Sequence, residues 1–354
     1  MKVTETTPTV SKAGARWPGH LEYLGFCPVC SSPERSVLYD KLRDQVFFCA
    51  QGLWTLWQCL ACECLYLDPR PSLQSIGLAY SSYFTHDPDP KAGKGSLVNS
   101  LKMGIRNGYY KKVYGFQEDP FYNAGYWICA LLPPIKTKLD RRIRDLKPLP
   151  SGGGRLLDIG CGNGDFLHMA MNCGWLAEGI DPDSTAVATA RRRGLNVRKE
   201  CVEELDYGDE QFDVITMSHV LEHLHNPVQV LKMCHRMLKP GGALWISTPN
   251  VRSLGHGRFG KAWRGLEPPR HLVMFHGKAL HDALKSAGFD RINRLQFPLS
   301  YTWMANMSLQ IQKTVRPLEI FEPSFMQRVN NCWHELIQLF FPVSTEELVA
   351  ISVK

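Results

Sequence analysis

From Arg155 onward, short apolar runs alternate with stretches whose apolar positions recur every three or four residues. RLLDI (155–159), LAEGI running to Asp181, LNVRK, FDVITM (212–217) and ALWISTPN (243–250) read as buried strands. DFLHMAMNCG, STAVATARRRG and VQVLKMCHRMLKPGG, the last ending at a glycine pair, read as the helices between them. GKALHDALKSAGF predicts a further helix, DRINRLQF a sixth strand, and the alternating ELVAISVK (347–354) a final one. Strands that alternate with helices in this way predict a doubly wound α/β sheet. A helical, aromatic insertion, roughly 301–343, separates the last two strands.

Upstream the pattern changes character. Residues 1–20 carry no apolar periodicity and predict a disordered tail. Residues 21–70 hold six of the twelve cysteines, at 27, 30, 49, 59, 62 and 64, and form a distinct module. THDPDPKAGKGS (85–96) reads as a loop, and residues 97–147 as basic helices. PLPSGGG (148–154) closes this 71–150 connector and leads into a domain at 151–354. The longest apolar patches, YWICALLPPI (126–135) and LIQLFFPV (336–343), contain proline and are too short to span a bilayer, so burial is expected of them rather than a surface-seeking face.

Composition changes this picture little. The chain has 354 residues, 44% apolar and 21% charged, as ordinary soluble proteins do, and a net charge of +7. Much of the excess lies in KTKLDRRIRDLK (136–147), RRRGLNVRK (191–199) and RSLGHGRFGKAWR (252–264). Those runs read as solvated helix faces and a basic loop, or as an attraction for an anionic substrate such as a phosphate-bearing sugar or RNA. The N-terminus lacks the apolar stretch of a secretory leader. Twelve cysteines in such a chain predict a reducing, cytoplasmic setting and metal ligation rather than disulfides.

Three motifs carry chemistry. Cys27 and Cys30 form one C-x-x-C, Cys59 and Cys62 a second, with 28 residues between them. Four thiolates suffice for a closed tetrahedral, structural zinc. Ser31 and Glu63 stand where such knuckles commonly have glycine, and Cys49 and Cys64 are alternative ligands. The second motif is LLDIGCGNGDFL (156–167), in which Gly160, Gly162 and Gly164 form G-x-G-x-G between a strand and a helix, just after Asp158 and with Cys161 between the first two glycines. Glycines there permit tight turning and close approach of a ligand, while a carboxylate suits an ammonium group better than a phosphate. Asp181, 23 residues after Asp158, ends the next strand, where an acid can bond both ribose hydroxyls. The third is AWRGLEPPRHLVMF (262–275), in which His271 is a candidate general base, or a turn cap, and Trp263 and Arg264 candidate substrate contacts.

DIGCGNG, GIDPD, FDVITMSHVLEHL and LKPGGALWISTPN, in this order and spacing, resemble a class I S-adenosylmethionine-dependent methyltransferase over about 155–300 and the last strand. The resemblance implies a Rossmann-like sheet of order 3-2-1-4-5-7-6 with an antiparallel seventh strand. It implies S-adenosyl-L-methionine contacts from Asp158, Gly160 and Gly162 to the methionine part and from Asp181 to the ribose. Cys201 and Val202 stand where the family often has an acid facing adenine, and Ser218 ends strand four beside the ligand edge. The zinc-ribbon-like module, LYLDPRP (65–71) and Tyr80, Tyr83 and Phe84 resemble methyltransferases of sugar and cell-surface glycan biosynthesis, as does P-R-H-L-x-x-F before a helix and AGF.

HVLEH (219–223) matches the H-x-x-E-H of inverted zinc peptidases. Such an enzyme needs both histidines on one helix face and a third ligand downstream, whereas His219 follows a strand directly. Quinone and sugar methyltransferases carry a similar L-E-H there. Glu222 and His223 therefore read as orienting groups, and His219 as a second candidate base facing substrate. The expected activity is methylation of a small molecule, a sugar, nucleotide sugar or glycan precursor. The other readings are an RNA methyltransferase holding nucleic acid with its ribbon and basic helices, a quinone-type O-methyltransferase, and a non-enzymatic cofactor-binding scaffold, against which the intact glycine loop and both acids count. No N-P-P-Y follows strand four, which counts against RNA.

Overall fold

A computed structural model describes residues 16–81, 97–147, 153–205, 207–295, 300–313, 324–340 and 344–354. Residues 1–15 of the expected tail, the loop at 85–96, and Tyr83 and Phe84 lie outside them. The end of the expected tail is packed: Trp17 lies edge-on to Trp54 at 5.5 Å and its indole N–H donates to Ser75 Oγ at 3.4 Å.

The N-terminal part contains β1 (Leu21–Glu22), β2 (Arg35–Leu42), β3 (Trp54–Cys59), β4 (Leu65–Leu67) and β5 (Arg70–Pro71). Helices α1 (Leu97–Tyr114), α2 (Ala124–Ala130) and α3 (Pro133–Arg142) follow. The second part runs β6 (Arg155–Ile159), α4 (Asp165–Asn172), β7 (Leu176–Asp181), α5 (Ser184–Arg192), β8 (Val197–Lys199), β9 (Phe212–Ser218), α6 (Pro227–Met237) and β10 (Leu238–Pro249). It continues with α7 (Leu254–Phe259), β11 (Val273–Met274), α8 (Gly277–Ser286), β12 (Arg291–Leu295), α9 (Tyr301–Lys313), α10 (Phe325–Phe340) and β13 (Glu347–Val353).

Seven strands form the main sheet in the order β12-β13-β10-β9-β6-β7-β8. From β8 inward this reads 3-2-1-4-5-7-6, and β13 is antiparallel to both β10 and β12. The centre is buried on both faces: Leu156, Leu157 and Ile159 on β6, and Ile215 and Met217 on β9, are almost wholly covered. A two-sided burial demands continuous apolar runs, which is why RLLDI and FDVITM are so dense in them. The helices are set by local chemistry. Asp183 caps α5 by accepting from Thr185 N at 2.7 Å, Pro227 opens α6, and glycines in the left-handed region follow α4 (Gly174) and α5 (Gly194). One boundary moves: β10 begins at Leu238, before the glycine pair, and its register against β9 shifts between Leu238 and Ala243.

The cysteine-bearing part is not closed on itself. Its sheet has the order β11-β4-β3-β2, so its outer strand comes from Val273–Met274 of the second part. Arg270, just upstream, is fully buried and binds Asp44 at 2.6 Å, Glu267 at 2.9 Å and the Ala79 carbonyl at 2.8 Å. Arg70, also buried, donates to the His225 carbonyl at 3.0 Å. Buried guanidinium groups need such partners, and these tie the two parts into one body.

Candidate active site and cysteine cluster

The carboxyl ends of β6 and β9, Trp245 of β10 and the start of β13 border a cleft of about 450 Å³, within the range of ligand pockets. The loop after β6 turns through Gly160, Gly162 and Gly164, all at positive φ. A Cβ on Gly160 would lie 2.4 Å from Val220 Cγ2, and one on Gly164 2.2 Å from Leu195 Cδ1, so both positions exclude side chains. Asp181 ends β7 and accepts from Gly162 N at 2.8 Å and Asp183 N at 2.9 Å, which fixes its carboxylate beside the loop. Asp158 is fully buried; its Oδ1 accepts from Thr216 at 2.8 Å and pairs with the Arg144 guanidinium, while its Oδ2 has no hydrogen-bond partner among the described residues. Burial pushes this carboxyl up against the pull of Arg144. A tightly turned glycine loop with one acid pinned to it and a second acid holding an orphaned oxygen fits an adenosyl amino acid. Cys161 and Ser218 line the cleft. Cys201 and Val202 follow β8 in the 3-10 turn that also carries Glu203 and Glu204.

The basic run before the loop supplies what sequence reading missed. Arg141, Arg142 and Arg144 line the cleft with Phe166 and Trp245. Arg144 lies over the Phe166 ring at 3.8 Å, and Arg141 over Trp245 at 4.6 Å, the latter also bonded to Ser247 and Glu347. Amphipathic spacing alone reads these arginines as solvated.

His219 stands at the mouth of the cleft with φ of +55°, the left-handed region that a non-glycine residue seldom adopts. Its N–H is held by the Ser247 carbonyl at 2.8 Å. Nδ1 lies 3.3 Å from Glu222 Oε1 and Nε2 3.8 Å from Glu347 Oε2. Glu222 is fully buried and accepts from Thr248 Oγ1 at 2.9 Å. Burial alone would lift its pKa, but the His219 imidazole overcomes it and brings the value down to about 2. Partial desolvation at the cleft lip would lower His219, yet the adjacent Glu222 carboxylate and the Glu347 charge raise it.

Three expectations are corrected. His271 is buried away from the cleft, its Nδ1 2.7 Å from the Gly265 carbonyl, and burial pushes its pKa down to about 4. It holds the turn rather than facing a substrate. Trp263 is 1% exposed, stacks on His256 and donates its indole N–H to Glu346 at 2.9 Å. Arg264 pairs with buried Glu267 and lies 5.8 Å over Trp303, outside the cleft lining. Apolar bulk and a buried acid explain both placements better than a substrate does.

Among the described residues, two groups of side chains gather ligand atoms within 4.8 Å of one another. The first is Cys27, Cys30, Cys59 and Cys62, with Sγ pairs at 3.6 Å (27 and 62) and 3.5 Å (30 and 59). A tetrahedron of about 2.3 Å metal–sulfur bonds has sulfur–sulfur edges of about 3.8 Å. The two knuckles repeat one geometry. Val29 N and Cys62 N each donate to a knuckle sulfur at 3.5 Å, and Ser31 N and Glu63 N close the turns on the Cys27 and Cys59 carbonyls. Ser31 and Glu63 take positive φ, the conformation for which knuckles favour glycine. Cys49 lies elsewhere, donating to the Ala79 carbonyl at 3.2 Å. The second group is Glu222, His223 and His271.

A family profile described as a methyltransferase domain matches residues 135–293. Over 176 residues, 45% of this chain and 71% of the relative, the chain is 34% identical to a ubiquinone biosynthesis O-methyltransferase of Cereibacter sphaeroides. The chain belongs to the class I S-adenosylmethionine-dependent methyltransferases. This methyltransferase is also 31% identical over 176 residues, again 71% of the relative, to the ubiquinone biosynthesis O-methyltransferase of Roseobacter denitrificans. Among solved structures, a methyltransferase of Archaeoglobus fulgidus is similar at 24% identity, covering 62% of this chain and 93% of that one, with a TM-score of 0.43. The family match begins at residue 135, so the cysteine cluster of the methyltransferase lies outside it.

Proposed function

We propose that this methyltransferase transfers a methyl group to a hydroxyl of a small-molecule acceptor, with His219 as the base. The observation that carries this reading is the His219–Glu222 pair, held by a left-handed backbone at the lip of the cleft beside the glycine loop. When bound, S-adenosyl-L-methionine supplies a methyl group already activated by its sulfonium. Asp158, the Gly160–Gly164 loop and Asp181 hold that cofactor, and the chain's remaining task is to align the acceptor and exclude water. The Glu222 carboxylate, 3.3 Å from Nδ1, favours the His219 tautomer protonated there and leaves Nε2 to take the acceptor's hydroxyl proton as the carbon–oxygen bond forms.

The acceptor proposed first is a sugar, nucleotide sugar or glycan precursor, because arginines and Glu347 give the cleft a polar, charged wall. A quinone-type phenol is the second reading, favoured by the relatives' named activity. The four knuckle cysteines hold one structural zinc; with no open position it takes no part in the reaction.

The test is incubation of the chain with labelled cofactor and a panel of nucleotide sugars, glycan precursors, hydroxylated quinone precursors and RNA, followed by mass spectrometry. Label on a sugar or phenol oxygen is the expected result. Label confined to RNA sinks the small-molecule reading. Cofactor affinity is read separately by calorimetry, where Asp181→Ala should weaken binding by about tenfold to a hundredfold, the loss of a charge-assisted pair of bonds.

A further inference from the structure

The patch YWICALLPPI, expected to be buried, lies at the surface. Trp127 is 66% exposed and Leu131 76%, with Ile128, Leu132 and Ile135 also uncovered. Helix α2 explains the arrangement. Gly125 and Cys129, four residues apart, face the body, with Gly125 so close to α1 that a Cβ would lie 2.1 Å from the Ile105 carbonyl. Trp127 and Leu131, also four apart, therefore point away from it. The backbone here is held in place: Leu131 N bonds the Trp127 carbonyl at 3.0 Å, and Tyr126 stacks on Tyr109. An apolar cluster on a fixed element is a surface that expects a partner.

The charge around it says which partner. Residues 97–142 carry eight basic side chains against three acidic ones. The one acid on α3, Asp140, is buried and already bonded by Tyr109, Tyr114 and Lys136. Lys136 and Lys138 rim the patch, and α1 contributes Lys102, Lys111 and Lys112 with no acid. A second copy of the chain would bring the same positive rim against itself. An anionic bilayer offers apolar depth for tryptophan and leucine and counter-charge for lysine together, the pairing that places amphipathic elements at a membrane surface.

We infer that the Trp127–Ile135 face docks this methyltransferase on anionic lipid membranes. No helix among the described residues is long and apolar enough to cross a bilayer, so the contact is peripheral. Helix α3 begins in the docking face and ends in the cleft, where Arg141 and Arg142 line the wall. Its ten residues, about 15 Å, set the distance between the lipid surface and the site. The inference does not depend on which acceptor is methylated.

The test is sedimentation of the full chain with vesicles of phosphatidylcholine alone or mixed with phosphatidylglycerol. The protein should pellet with the anionic vesicles at least about tenfold more than with neutral ones and be released by high salt, as a screened charge contribution requires. Trp127→Glu with Leu131→Glu should abolish pelleting while leaving cofactor affinity by calorimetry unchanged, which shows that the fold survives. Lys136→Glu with Lys138→Glu, a change that spares the apolar face, should reduce it in part. The inference is overturned if the wild type stays in the supernatant with both vesicles, or if the Trp127/Leu131 variant pellets equally well. It is also overturned if light scattering finds a dimer that this variant splits, which would assign the face to a second copy.

Discussion

Two clusters of metal-capable side chains lie among the described residues, and they differ in what their atoms already hold. At Cys27, Cys30, Cys59 and Cys62 the sulfurs face one another, and the bonds from the surrounding chain are backbone N–H groups donating to sulfur. Such donors stabilise thiolates and leave their metal-binding pairs free. At Glu222, His223 and His271 each group has another use. Glu222 accepts from Thr248 and faces His219, His223 Nδ1 lies 3.0 Å from the Arg270 carbonyl and 3.1 Å from the Tyr80 hydroxyl, and His271 Nδ1 is on Gly265. Their rings meet edge to face at 4.8 Å. The cysteine group is thus arranged as a candidate ligand set and the Glu–His group as a scaffold, and the hydrogen-bond partners tell the two roles apart.

The largest expected effect breaks or keeps this distinction outright. Cys27→Ser with Cys59→Ser should lose one bound zinc per chain by elemental analysis and cost on the order of 5 kcal/mol or more of stability, since binding energy of a structural zinc is folding energy. His219→Ala and His223→Ala should keep the metal. Loss of zinc from the His223 variant instead would move the metal to the histidine cluster. Next in size is catalysis. His219→Ala should lower kcat by roughly a hundredfold to a thousandfold, the range of a lost general base. Because carboxylates raise the His219 pKa, wild-type kcat/KM should rise with pH through a value above 6.5, and Glu222→Gln should move that inflection down. An unmoved inflection in the Gln variant would falsify the positioning role of Glu222.

A smaller effect is carried by pH. An unfolded imidazole gains its proton near 6.5, whereas His271 in the folded chain gains it only near 4. Between these values the unfolded state binds more protons, so stability falls as pH drops through that window, by up to about 3 kcal/mol. Thermal melts of His271→Asn should be flatter over the same interval. The smallest change belongs to Cys49→Ser, which exchanges one weak donor to Ala79 for another; it should keep the zinc and shift stability by less than about 1 kcal/mol.

The sheet and its glycine loop were readable because two-sided burial writes itself as an unbroken apolar run, and a tight turn writes itself as glycine. The cysteine pairs were readable for the same reason: spacing is the geometry. Arg141 and Arg144 were not, because a helix's solvated face and a cleft wall carry the same residues and only tertiary packing separates them. Trp263 failed in the opposite sense. An aromatic beside arginine suggested a binding loop, yet Glu346 and His256 make it core. The pairing of Val273–Met274 with β4 leaves no local trace, since it joins segments about two hundred residues apart.

That pairing bears on how the chain is made. Until residue 274 has left the ribosome, the backbone of β4 presents an open edge, the kind that recruits stray strands. Both cysteine pairs emerge far earlier, while the sheet around them is still unfinished. The module therefore waits long for its last strand, and a chain cut short before Val273 would keep that adhesive edge.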